Sequence, residues 1–334
     1  MRPTLRRSAF PNTMIHRFDK LATELPEPAA PNANAAAAVQ ELMGGKFGEM
    51  STIMNYTFQS FNFRARTKFR PFYDLVTNIA AEEYSHIELV AAAINLLLTG
   101  TTTRADRNAA SPIKTKASKT NRIRGSGATK NGADPAPLVD AMDMRNTYHF
   151  IASGQQCLPI DSMGNFWTGQ NVFCSGNLKL DLLHNFFLEC GARGNKMRVY
   201  EMTDDPTARA LCGFLLVRGG VHIVAYAKAL EKLTGADVGR ILPIPDVNNK
   251  KFPEAAKHEE NGLHTIMFRW SPEDYRELDK IWNGPHPEDG QELVVEDEIP
   301  EGAPWPEFAE EPQLVSPGSI DPEMIQWYSE ALAK

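Results

Sequence analysis

Hydrophobic side chains recur along this chain at helical spacing in four long stretches, which form two pairs. In the first stretch, Leu42, Phe47, Met50, Met54 and Phe58 follow one another every three to five residues, the period of one face of an α-helix. We predict helices over the ranges 34–61, 70–98, 176–202 and 205–233. Each range would form roughly 40 Å of helix at 1.5 Å per residue.

Helix-terminating residues support these boundaries. Pro71 and Gly100 flank the second stretch, and Pro206 and Gly235 flank the fourth, which matches the preference for proline at helix starts and glycine after helix ends. Between the two pairs lies a connection of roughly 80 residues, long enough for a crossover between two antiparallel hairpins. The pattern therefore predicts an all-α, antiparallel four-helix bundle with a long crossover connection.

The remaining sequence suggests a three-part organisation. We expect an N-terminal arm over 1–33, the bundle over 34–235, and an extended, largely irregular C-terminal tail over 236–334. Within the tail, the ranges 271–282 and 322–333 are short helical candidates that could pack on the bundle or on a neighbouring chain.

Composition indicates a globular protein and excludes a membrane-spanning one. The chain of 334 residues is 42% hydrophobic and 23% charged, and it contains no uninterrupted apolar run of 18 residues. Its four cysteines form no CxxC pair, which suits a reducing compartment. We expect a cytoplasmic protein; the arginines near the N-terminus leave an organelle-targeting leader open as an alternative.

Charge is distributed unevenly along the chain. The range 281–333 contains 13 acidic residues and no Lys or Arg, whereas 101–135 contains eight Lys or Arg against two Asp. The basic segment is rich in Ser, Thr, Gly and Ala and has no aromatic residue for base stacking. We interpret it as a mobile surface loop and expect no nucleic-acid partner.

Acidic and imidazole side chains lie inside the apolar helical stretches. Glu83 and His86 are three residues apart and therefore share one face of the second helix. The other stretches contribute Glu49, Glu189 and His222 among largely apolar neighbours.

Buried carboxylates repel one another unless a cation or a proton compensates them. Two divalent ions would reverse the balance, and each could take one imidazole. A Glu-x-x-His motif that projects into a four-helix bundle is typical of ferritin-like dinuclear carboxylate proteins. We expect Glu82 and Glu88 to snorkel or form ion pairs away from the inward face of His86, and His184 to point away from Glu189.

Four segments carry a resemblance to a known family. The segments GGKFGEMSTIMNYTFQSFNFR, NIAAEEYSHIELV, SGNLKLDLLHNFFLECGAR and FLLVRGGVH resemble those of the manganese catalases, the non-haem catalases of the ferritin-like superfamily. The similarity extends over roughly residues 14–282 and includes the interval from Glu189 to His222.

This resemblance implies a function and a ligand set. It implies disproportionation of hydrogen peroxide to water and dioxygen by two manganese ions per subunit, cycling between the (II,II) and (III,III) states. Glu83 would bridge the ions, Glu49 and His86 would complete one, and Glu189 and His222 the other. The family also implies a homo-oligomer, commonly a hexamer.

The same resemblance suggests supporting residues. Tyr56 matches a tyrosine that forms a hydrogen bond near the cluster, although a plain core tyrosine is an equal alternative. Asp74 and Asn78 lie where some members hold a structural calcium at a subunit contact, but with one carboxylate between them a solvated polar face is the simpler interpretation.

The chain departs from one branch of the family at two positions. Leu188 and Gly219 stand where some members have an arginine and a glutamate, which weakens any proposal that those outer groups transfer protons here. We hypothesise that Gly219 and Gly220 leave room for peroxide to reach the metals, with close helix packing as the alternative. Phe186, Phe187 and Leu188 are expected to restrict solvent access.

Two other functions remain open at this point. The ligand types alone also suit a di-iron oxidase or ferroxidase on the same scaffold, because oxygen-rich sites with imidazoles accept iron or manganese. A non-catalytic assembly or storage protein would keep the bundle without a redox-active metal pair.

Overall fold

The computed structural model describes residues 20–29, 31–100, 156–238 and 247–308, together with 327, 330 and 331. Within these ranges the α-helices are α1 (Ala33–Gly44), α2 (Glu49–Phe61), α3 (Arg70–Thr99), α4 (Leu178–Met202), α5 (Pro206–Thr234) and α6 (Pro253–Glu260). The strands are short: β1 (Lys20–Leu21), β2 (Ile266–Phe268), β3 (Val294–Glu296) and β4 (Ala303–Pro304).

The long helices pack as a bundle, which confirms the all-α prediction. Helix α2 packs on α3 and α4 packs on α5, while α3 also contacts α5, so that the two hairpins share one core. Helix α1 extends the bundle by packing against α3 and α4.

The prediction of one continuous first helix is wrong at residues 45–48. Helix α1 ends before Gly45, whose backbone is extended, and α2 begins after Gly48, which is extended too. A Cβ on Gly44 would lie 2.4 Å from the backbone of Ile160, so the chain approaches its neighbour here as only glycine permits. The break makes Glu49 the first residue of α2.

The predicted ends of α4 and α5 are supported by capping contacts. The Asn177 side chain accepts a hydrogen bond from the Leu180 N–H at the start of α4, and the Asp205 side chain accepts from Thr207 and Ala208 at the start of α5. Helix α5 ends at Gly235, which adopts the left-handed conformation with φ of 73°.

Helix α5 is long and apolar enough to cross a membrane. The whole of its apolar window is buried inside the protein, however, which is the environment of a central core helix. Because a buried bundle helix passes the same test as a membrane span, this helix is explained by its packing.

The C-terminal segment, residues 253–308, packs against α3 and α5. The predicted helix over 271–282 is wrong: this stretch contains turns and the short 3₁₀ helix Leu278–Lys280. The buried Trp282 donates to the carbonyls of Thr265 and Val294, which holds the segment in an irregular path. Strand β2 pairs with β3 in parallel, and β1 pairs with β4 antiparallel.

Several predictions lie outside the described residues. These are the basic segment 101–135, residues 1–19 of the predicted arm and nearly all of the predicted helix 322–333. The division of the chain at residues 33 and 235 stays a prediction.

Candidate metal centre

Four helices bring the five predicted ligand residues together in the bundle core. Glu49 begins α2, Glu83 and His86 lie on α3, and α4 and α5 contribute Glu189 and His222. Each of these side chains is at most 1% exposed.

The two carboxylate oxygens of Glu83 face two separate sets of ligand atoms. Its Oε2 lies 3.3 Å from His86 Nδ1, which is also 3.6 Å from Glu49 Oε2. Its Oε1 lies 2.7 Å from His222 Nδ1, which is 3.4 Å from Glu189 Oε1. Atoms bound at roughly 2.1 Å to one ion and at right angles lie about 3 Å apart, so each set has the spacing of neighbouring ligands.

Some buried polar atoms at this site have no hydrogen-bond partner, and such atoms indicate whether metal ions would fit. Among the described residues, Glu49 Oε2 and Glu189 Oε2 form no hydrogen bond although both are buried. Buried polar atoms are normally satisfied, and carboxylate oxygens with imidazole nitrogens are suitable donors for a divalent transition metal. The residues therefore fit a pair of metal ions.

Two hydroxyl groups orient the carboxylates. Thr52 Oγ1 donates to Glu83 Oε2 at 2.9 Å, and Tyr56 donates to Glu189 Oε1 at 2.6 Å. Tyr56 is fully buried, and burial together with the Glu189 charge raises its pKa well above the usual range, which keeps the hydroxyl protonated. The structure thus brings Tyr56 to a ligand carboxylate.

The surrounding carboxylates raise the pKa of both histidines. Burial alone would lower the pKa of His86, but Glu83 and Glu49 outweigh it and raise that pKa to about 9. The pKa of His222 is raised well above its usual value, because Glu82 and Glu83 outweigh burial. Metal binding at these nitrogens must therefore displace protons.

Lys196 is a buried cation that the sequence reasoning missed. Its Nζ lies 3.0 Å from Glu49 Oε1, and the side chain is 2% exposed. Burial would raise the pKa of Glu49, but Lys196 and His86 hold it far below the usual range. Lys196 follows Glu189 by seven residues, two helical turns on the same face, and this spacing was the available signal.

The expectation for Glu82 is only half right. It does form an ion pair, because Arg218 Nε donates to Glu82 Oε1 at 2.6 Å, but it is 3% exposed and faces both histidine rings. Glu82 and His86 are four residues apart, a spacing that places them on one helix face. That spacing is the sequence signal for the contact.

The access hypothesis at Gly219 receives no support. A Cβ at Gly219 would lie 3.4 Å from Lys196 Nζ, so the lysine already occupies that space. The expected apolar shell is partly wrong: Phe186 and Leu188 are buried, but Phe187 is 55% exposed.

Asp74 and Asn78 are buried but already bonded within the chain. Arg70 and the Glu277 N–H donate to the Asp74 carboxylate. Asn78 donates to the Phe268 carbonyl and accepts from the Trp270 N–H. The calcium site stays a prediction, and these contacts tie α3 to the C-terminal segment.

His184 stacks on Phe173, with ring centroids 4.6 Å apart. It takes no part in the cluster described above, as its position on the helix predicts.

Comparison with known proteins assigns the family. The model of the family "Manganese containing catalase" matches residues 14–128 and 123–325. The protein YjqC of Bacillus subtilis is 33% identical over 72% of this chain and 76% of its own length. The manganese catalase of Bacillus subtilis is 29% identical over 76% of this chain and 81% of its own.

Two further matches extend the comparison. The manganese catalase of Lactiplantibacillus plantarum is 26% identical over 70% of this chain and 78% of its own length. The crystal structure of KatB, a manganese catalase from Anabaena, has a TM-score of 0.48 and 22% identity, and covers 66% of this chain and 81% of its own. The extent of the family match shows that the chain belongs to the manganese-containing catalases.

Proposed function

We propose that this protein disproportionates hydrogen peroxide into water and dioxygen at two manganese ions bound per subunit. Family membership gives the activity and the metal. The division of the Glu83 carboxylate between two sets of ligand atoms carries the proposal for this chain.

In this proposal Glu83 would help to hold both ions. Glu49 and His86 would hold one ion, and Glu189 and His222 would hold the other. When bound, the manganese pair would supply and recover the two electrons that each half of the reaction transfers.

Protons must also be stored between the two halves. Oxidation of one peroxide to dioxygen releases two protons, and reduction of a second peroxide to water consumes two. Lys196 places its ammonium nitrogen 3.0 Å from Glu49, a proposed ligand carboxylate, so a proton donor lies beside the site. Tyr56 donates to Glu189 and fixes the orientation of that carboxylate, which is the role we propose for it in catalysis.

Elemental analysis combined with oxygen evolution tests the proposal. We expect about two manganese per chain and oxygen release from hydrogen peroxide. Glu83→Gln should abolish both, whereas Glu201→Gln, a matched change on the exposed end of α4, should leave both unchanged. Two irons without oxygen release would contradict the proposal and indicate an oxidase, and metal in large excess of two per chain would indicate storage.

The family also supports a proposal about assembly. Phe61 and Phe187 are more than half exposed, and Phe58 is 41% exposed, so apolar surface on α2 and α4 is available for a second subunit. We propose a cytoplasmic homo-oligomer, a hexamer by family precedent. Sedimentation equilibrium of the manganese-loaded protein tests the subunit number.

A further inference from the structure

Glu82 lies behind both histidine rings, on the side away from Glu83. Its Oε2 is 3.4 Å from His222 Nε2, and its Oε1 is 3.8 Å from His86 Nε2. The two rings lie nearly parallel, with centroids 5.5 Å apart. One carboxylate therefore faces the outer nitrogen of both imidazoles.

Arg218 fixes the position of Glu82. Its Nε donates to Glu82 Oε1 at 2.6 Å, and its Nη1 donates to the backbone carbonyls of Leu263 and Ile266. Arg218 is 1% exposed and Glu82 is 3% exposed. The guanidinium thus connects Glu82 to the chain that follows α6, so the carboxylate cannot rotate without breaking these bonds.

A hydrogen-bond acceptor beside the outer nitrogen of a metal-bound histidine strengthens metal binding. When Nδ1 binds an ion, Nε2 carries a proton and donates it to the carboxylate, which fixes the ring and raises the basicity of the ligand nitrogen. Usually each histidine has its own partner. Here one carboxylate lies within 3.8 Å of the outer nitrogens of two rings assigned to different ions of the proposed pair, and neither ring nitrogen has another hydrogen-bond partner among the described residues.

Glu82 and Arg218 do not lie where substrate would react. They form part of the wall of a cavity of about 560 Å³ that β1, Ile299 and Pro300 also line. The Glu83 carboxylate lies on the opposite side of the rings, next to the Nδ1 atoms. Any effect of the pair on the reaction is therefore transmitted through the histidines.

We propose that Glu82 and Arg218 together position His86 and His222. This positioning unit would strengthen the binding of both metal ions. The proposal rests on the assignment of these histidines as manganese ligands. It predicts that loss of the unit lowers the manganese affinity of both positions, and not of one position alone.

The test is manganese affinity of the double variant Glu82→Met/Arg218→Met. Removing both charges leaves no uncompensated buried ion and keeps the volume similar, so the fold can persist. We expect both manganese affinities, measured by chelator competition, to fall about 10- to 100-fold. The matched control is Glu273→Met/Arg276→Met, which removes an exposed ion pair and should bind manganese as the wild type does.

Two results would overturn the proposal. One is a folded double variant with wild-type affinity at both positions, and the other is a folded double variant that loses only one ion. If circular dichroism shows that the double variant is unfolded, Glu82→Gln decides the matter. Its carbonyl can still accept from Arg218 while its amide, as a donor, cannot accept from His222, so wild-type affinity in this variant would reject the proposal.

A separate result concerns the metal assignment itself. Failure of the wild-type protein to bind two manganese ions would reject the proposed function, whatever the variants do.

Discussion

At the scale of single residues, the site is a balance of buried charges. Four buried carboxyl side chains (Glu49, Glu82, Glu83 and Glu189) face Lys196, Arg218 and two histidines with raised pKa values, His86 and His222. Because all are buried, removing one group leaves its partner uncompensated, which is costly. Metal ions must enter by replacing protons on the two histidines.

The first prediction concerns Lys196→Met. Loss of the ammonium leaves Glu49 buried without its nearest cation, so we expect the metal-free fold to lose about 3–5 kcal/mol. Bound manganese should restore most of that stability by compensating Glu49. Thermal unfolding with and without manganese measures both effects.

Lys228→Met is the control for the loss of a lysine, because Lys228 donates to the Asn283 carbonyl on the exposed side of α5. A metal-free Lys196→Met protein as stable as this control would show that the Lys196–Glu49 contact contributes little.

The second prediction concerns Gly219→Ala. The new Cβ would contact Lys196 Nζ at 3.4 Å, which is tolerable, and alanine in a helix interior gains about 1 kcal/mol over glycine. We therefore expect a higher unfolding temperature with unchanged manganese content and peroxide turnover. Lower turnover with full manganese content would instead favour the original access hypothesis.

At the scale of elements, the loop between α1 and α2 determines where Glu49 lies. Phe47 in this loop packs on Gly191 of α4, where a Cβ would lie 2.5 Å from the Phe47 ring. The loop is thus fixed against the helix that carries Glu189, two residues away. Contact between loop and helix sets the spacing of two predicted ligands.

The third prediction follows from this contact. Gly191→Ala should displace Phe47 and with it the start of α2, so we expect reduced manganese content. Gly194→Ala is the matched control on α4, because a Cβ there would meet nothing within 4 Å and should only stabilise the helix by about 1 kcal/mol. Equal manganese content in the two variants would contradict the argument.

The spacing of apolar residues predicts the long helices correctly but not the break within the first one. Helices α3, α4 and α5 follow from apolar spacing and their Pro, Asn, Asp and Gly ends. Ile160, from a distant part of the chain, packs against Gly44 immediately before the break at 45–48, and local spacing cannot reveal that contact.

Site residues that are close together in the sequence can be predicted, whereas contacts between distant segments cannot. Glu83 and His86 are recognisable by their spacing within one helix. Arg218 matters because Leu263 and Ile266 supply carbonyl acceptors from another segment, and the sequence does not indicate that contact.

At the scale of the whole molecule, the buried charges connect stability to pH. The pKa of His86 is about 9 in the metal-free fold, against about 6.5 in an unfolded chain. The protonated ring therefore stabilises the fold fully below pH 6.5, and this contribution is lost as the pH rises through 9.

The fourth prediction is that the unfolding temperature of the metal-free protein falls as the pH rises from 6.5 to 9. The fall should be larger in the wild type than in His86→Gln, which lacks the imidazole. The manganese-loaded protein should change less over this window, because its rings bind metal and carry no exchangeable Nδ1 proton. Differential scanning calorimetry of both forms makes the comparison. Identical pH dependence of wild type and His86→Gln would contradict the assigned protonation.

The pairing of β1 with β4 joins residues from nearly opposite ends of the sequence, Leu21 with Ala303. Closing so large a loop carries a high entropy cost for only a few hydrogen bonds, so this pairing should form after the bundle and open before it. Its amide protons should exchange with solvent while those of α3 and α5 remain protected. The two strands would then separate and pair again without unfolding the helical bundle.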